Sequence, residues 1–154
     1  MKKRILWAVP AVLAMILAAP PLQRAFWAAE AETTSVDVSI REKMFIAQTN
    51  DIYINADEYM GKTIKLEGLF STVRYGDVIQ YTVTRNGPGC CGNDGVVGFE
   101  VRFSEDDAGI PADGDWVEAI GSLERYEMWN QRYLRLALES LRVLDQRGAE
   151  TVLQ

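Results

Sequence analysis

Histidine is absent from the 154 residues, which removes the commonest metal ligand and the commonest general base at neutral pH. Ser-His-Asp and Cys-His mechanisms, and most catalytic zinc sites, cannot be assembled from this chain alone. Positive charge is scarce as well: 16 Lys and Arg face 22 Asp and Glu, a net charge of -6. A field of that sign repels phosphate backbones, so nucleic acid is not expected as a partner. Cysteine is limited to two adjacent residues, Cys90 and Cys91, so no other disulfide can form within the chain. Internal repeats and low-complexity tracts are missing too. With 48% hydrophobic and 25% charged residues the composition is that of one ordinary globular domain. These absences point to a binding or accessory protein rather than an enzyme.

What is present begins with a compartment signal. Lys2, Lys3 and Arg4 precede a run without charge over residues 5–22, the order of an export signal. Residues 1–31 are therefore expected to be a signal peptide or an N-terminal membrane anchor, with the protein in the periplasm, at the cell surface or on the outer face of the cytoplasmic membrane. Eighteen residues are short for a membrane span, and Pro10, Pro20 and Pro21 interrupt the helix. Ala29, Glu30 and Ala31 offer a small-residue cleavage signature, though Arg24, Phe26 and Trp27 make the segment before it bulky. No Cys follows the apolar run, which excludes a bacterial lipid anchor.

Residues 32–40 read as a linker and lead-in strand, in which Val36, Val38 and Ile40 alternate with Asp37 and Ser39. Phe45, Ile46, Thr49, Ile52 and Tyr53 then form one stripe of an amphipathic helix. From Thr63 the period is two, with Ile64, Leu66, Gly68 and Phe70 on one face. Further alternations run through Ile79, Tyr81 and Val83; Phe99, Val101 and Phe103; Val117, Ala119, Gly121 and Leu123; and Leu134, Leu136 and Leu138. A phase shift between Leu138 and Leu141 suggests a β-bulge. Glycines inside strands at Gly68 and Gly121 suit the sharp bends of a small barrel. The expected fold is mainly β: a five-stranded OB-like barrel over residues 41–145, preceded by one amphipathic helix, with a β-sandwich as competitor. Residues 146–154 read as a flexible tail.

Three constellations can carry chemistry. The loop over residues 86–95 holds four Gly, one Pro and the adjacent Cys90 and Cys91. Two thiolates and Asp94 can form a site for a thiophilic ion such as zinc or copper. Adjacent side chains in extended backbone point to opposite sides, which opposes chelation unless the glycines relax it. A vicinal disulfide acting as a redox switch is the alternative, and two small side chains sealing a turn is the bland one. The segment over residues 125–135 presents Tyr126, Trp129 and Tyr133, in the loop that OB folds use for oligosaccharides or single strands, although cross-strand packing or covering one barrel mouth is the favoured account of them. Arg125, Arg132 and Arg135 add local positive charge there. Glu105, Asp106, Asp107, Asp113 and Asp115 could bind Ca²⁺, but their spacing does not match a calcium loop and a solvated surface suffices. Nothing in the sequence brings Glu100 and Glu118 together as an acid and base pair.

The runs Tyr59-Met60-Gly61-Lys62-Thr63-Ile64-Lys65-Leu66-Glu67-Gly68 and Gly114-Asp115-Trp116-Val117-Glu118-Ala119-Ile120-Gly121, with Cys90-Cys91 and Asp94 between them, resemble the C-terminal domain of the YcgQ-like family. These are bacterial membrane proteins of unknown function. The resemblance covers roughly residues 39–144; its Cys-Cys-x-x-Asp signature is the specific part. It implies an envelope-located binding or accessory domain, a permease-like membrane protein as partner, and a metal role for Cys90, Cys91 and Asp94. Family members commonly carry several membrane helices before this domain, where this chain has a single apolar segment.

Overall fold

The computed structural model describes residues 35–88, 95–104 and 109–153. The expected signal or anchor segment, the Cys90-Cys91 loop with Asp94, and the acidic residues Glu105, Asp106 and Asp107 lie outside those residues. Strand β1 (Val38–Ser39) leads through a 3₁₀ turn (Glu42–Met44) into helix α1 (Phe45–Ile54) and the short α2 (Ala56–Tyr59). Phe45, Thr49 and Ile52, one and two turns apart, are the buried face of α1. Gly61, at φ +71°, turns the chain into the barrel; only a residue free of Cβ strain adopts that conformation cheaply.

The barrel consists of β2 (Thr63–Tyr75), β3 (Val78–Gly87), β4 (Gly95–Arg102), β5 (Trp116–Met128) and β6 (Gln131–Val143). β2 is long enough to serve two partners: residues 63–69 pair with β5 and residues 69–75 with β3. β3 and β4 are antiparallel, β5 and β6 are antiparallel, and a short parallel pairing of Glu100–Arg102 with Arg135–Ala137 closes the circle. This is the OB topology read from the sequence. Alternation fills the interior with Ile64, Leu66, Phe70, Val83, Phe99, Val101, Val117, Ala119, Leu123 and Leu136. The two strand-interior glycines mark where backbones close up. A Cβ on Gly68 would sit 2.7 Å from the Thr84 carbonyl oxygen, and one on Gly121 2.4 Å from that of Ala137. The bulge is present: Gly121 pairs with Leu138 but Ile120 with Ser140, leaving Glu139 as the extra residue.

Residues 146–153 depart from the expected flexible tail. Asn86 N–H donates to Glu150 O and Val152 N–H to Asn86 O, both at 2.8 Å, in a parallel bridge, and Val152 is 3% exposed in the core. The reason is a free edge: β2 leaves β3 after the Leu69–Thr84 pair, so the last residues of β3 expose unpaired backbone groups that the tail satisfies. Underneath lies Arg85, 2% exposed. Its guanidinium lies 4.9 Å from the Phe45 ring centroid and 4.7 Å from that of Trp116. It donates to Glu67 O at 2.8 Å, and to Glu42 Oε2 and Ala149 O at 3.0 Å. A buried cation requires that complement of partners.

Candidate functional site

The β5–β6 connection is a two-residue turn between paired Met128 and Gln131, with Trp129 at φ +52° and Asn130 at φ +64°. That is the type I′ geometry demanded by strand twist. Asn tolerates it, whereas Trp is an unusual occupant. Trp129 is 62% exposed, and the 53% exposed Tyr75, at the end of β2, meets it edge-on with ring centroids 6.2 Å apart. The tips of the β2–β3 and β5–β6 hairpins thus touch through two solvent-facing aromatics. In OB folds these two loops frame the ligand face.

Beside them the outward side chains of β3, β4, β5 and β6 form one polar network. Gln80 Nε2 donates to Glu100 Oε2 and to the Tyr126 hydroxyl, both at 3.0 Å, while Tyr126 donates to Glu100 through a short hydrogen bond. The Arg135 guanidinium covers the Tyr126 ring at 4.3 Å and donates to Glu124 at 2.5 Å. Arg102 grips the same carboxylate with two bonds, 2.8 and 3.2 Å. Burial, reinforced by the Glu100 acceptor, pushes the Tyr126 phenol up to about 12. The hydrogen bond from Arg102, with that from Arg135, holds Glu124 below the usual carboxylate range. A hollow of about 180 Å³ opens here, lined by Gln80, Glu100, Arg102 and Arg135 among others. Both of its cations, Arg102 and Arg135, are held by Glu124, and Glu100 supplies a second carboxylate, so the hollow offers directional donors and acceptors without surplus charge.

The three aromatics named from the sequence occupy different places. Tyr126 belongs to the network, and Trp129 to the hairpin tip. Tyr133, the cross-strand partner of Tyr126 with centroids 5.6 Å apart, also lines a second hollow of about 310 Å³ with Tyr53, Ala56, Arg125, Arg132 and Leu134. Sequence reading passed over Tyr75, Gln80 and Arg102 as ligand-facing residues, because their partners come from other strands. Glu118 stands apart from Glu100, paired with Lys65 and with Arg142 at 2.9 Å. Asp113 accepts from Thr72 N–H of β2 at 2.7 Å and Asp115 from Ala112 N–H at 2.9 Å, so one of these two members of the acidic cluster ties its loop to β2 and the other caps a turn. Among the described residues no three His, Cys, Asp or Glu side chains gather as a metal site.

A family profile, the DUF1980 C-terminal domain, matches residues 23–148. The chain belongs to that family. The resemblance carried by the Gly-Lys-x-Ile and Gly-Asp-x-Val runs agrees with this match. No curated protein matches the sequence. A DUF1980 C-terminal domain built as a closed barrel is consistent with an accessory or binding module. Among its described residues no helix is long and apolar enough to cross a membrane.

Proposed function

We propose that this DUF1980 C-terminal domain is an exported, non-enzymatic module that binds an oligosaccharide on the face framed by the β2–β3 and β5–β6 hairpins. The contact between exposed Tyr75 and Trp129 carries the reading. Two aromatic faces held in water beside a neutral hydrogen-bonding network suit a sugar, whose C–H faces stack on rings and whose hydroxyls pair with Gln, Tyr, Arg and carboxylate groups. Strands of nucleic acid would meet an acidic chain whose arginines on this face already hold Glu124. Export is supported by the basic start and the uncharged run over residues 5–22. In that compartment the module would serve a permease-like membrane partner.

The test is a titration with neutral chito-, cello- and malto-oligosaccharides. Binding should change tryptophan emission, weaken in Trp129→Ala by about tenfold, the effect of losing one stacked ring, and be indifferent to Cys90→Ser. Absence of binding across this panel and across acidic oligosaccharides would remove the reading. A second reading rests on the sequence between β3 and β4, which carries both cysteines. There Cys90 and Cys91, with Asp94, would hold a thiophilic ion such as zinc or copper, or form a vicinal disulfide. Native and denaturing masses of protein prepared without reductant or chelator separate these: an added ion lost on denaturation against a chain two hydrogens lighter.

A further inference from the structure

We propose that the hollow between helices α1 and α2 and the β5–β6 hairpin is a carboxylate-binding subsite, so that the bound oligosaccharide contains uronic acid units. The glycan class rests on the oligosaccharide reading above; the carboxylate is argued from this hollow alone. At about 310 Å³ it can admit one sugar ring. The break between the helices at Asn55 puts the buried Ala56 at its base. One wall is Tyr53, whose ring stacks on Phe99 at 5.1 Å and whose hydroxyl donates to Gly98 O at 3.0 Å. Desolvation, with the nearby Glu100 charge, raises the Tyr53 pKa, so that wall stays neutral.

Two guanidiniums line the hollow. Arg125 is tethered to Asp57 at 2.7 Å and kept in place. Arg132 is exposed and makes no hydrogen bond or ion pair with any described residue. Glu127, directly opposite it across the hairpin, forms no ion pair with it, although every other cation flanking the two hollows is matched: Arg102 and Arg135 by Glu124, Arg125 by Asp57. A free planar fork of donors is the complement of a carboxylate, which it binds through two parallel hydrogen bonds. With Arg125 already neutralised by Asp57, one cation unmatched among the described residues remains, which suits a singly charged planar anion better than a doubly charged phosphate. Tyr133, which lines the hollow, faces Tyr126 across the hairpin, so the hollow is built on the same hairpin whose turn carries Trp129. A concave pocket beside an aromatic face fits a sugar acid more closely than an acidic side chain on a partner protein.

The experiment titrates the full chain with trimers of galacturonate, glucuronate and mannuronate, each beside its methyl ester, which keeps the skeleton and removes the charge. At least one free acid should bind about tenfold tighter than its ester, as expected for one charge-assisted pair. Arg132→Ala should bring that acid down to the level its ester shows with the same variant, and added salt should weaken the acid more than the ester. Equal affinity for acid and ester, or an acid preference that survives Arg132→Ala, overturns the carboxylate subsite while leaving the oligosaccharide reading intact. Failure of every acid, ester and neutral sugar to bind overturns both. Preference for a Glu-rich peptide over all uronides keeps the anion site but overturns the glycan class.

Discussion

Arg85 is the residue on which most of the lower barrel depends, because its charge is buried between Phe45 and Trp116 and answered by Glu42 and two carbonyls. Arg85→Met keeps much of the volume but strands the Glu67 and Ala149 carbonyls, and should lower unfolding free energy by about 1–3 kcal/mol. An unchanged urea midpoint would refute this. Gly121→Ala should cost about 1–3 kcal/mol as well, by forcing a methyl against the Ala137 carbonyl at 2.4 Å. The two positions differ in how visible they were. Gly121 is legible, since a glycine within an alternating strand announces a close approach. Arg85 was not, because a cation at an inward position looks like a lapse in the pattern until its aromatic and carboxylate partners arrive from other parts of the chain.

At the level of elements, the C-terminal segment behaves as an added strand. Removing residues 146–154 should expose Trp116 and the β3 edge, shift the urea midpoint down, and abolish hydrogen-exchange protection at Asn86 N–H, which Glu150 O accepts. Continued protection of that amide in the shortened chain would show the segment to be dispensable. A mostly polar run whose larger apolar residues are only the adjacent Val152 and Leu153 carries no period, so nothing local distinguished this strand from a loose end. The β5–β6 turn makes the opposite case. A connection within residues 125–135 was evident, but its two-residue length and the left-handed position of Trp129 were not. Trp129→Gly should relieve that backbone strain, leaving thermal stability equal or higher while calorimetric binding of oligosaccharide falls. A large loss of stability would mean that Trp129 is there for packing on Tyr75 rather than for a ligand.

For the whole molecule, charge sets the pH response. Glu42 is held below its ordinary pKa by the Ala149 N–H and then Arg85. Glu124 is lowered by Arg102; Glu118 is raised by burial but ends low because Lys65 and Arg142 outweigh it. Carboxylates that bind protons less readily in the folded state stabilise it above the unfolded value of 4.5 and lose that contribution as pH falls through the lower folded values. The urea midpoint should therefore stay level from about pH 7 to 5 and drop on further acidification; a midpoint constant down to about pH 3 would contradict these pairings. Alternation, strand-interior glycines and turn residues determined the strands by themselves and favoured a barrel over a β-sandwich, because period-two burial and close backbone approach are local demands written residue by residue. Family membership was legible in short runs for the same reason. Tertiary structure alone decided which aromatics meet, which arginine finds no partner among the described residues and where the last strand docks. Those outcomes depend on which distant edges and side chains closure of the barrel brings within a few ångströms of each other, and no local pattern encodes that.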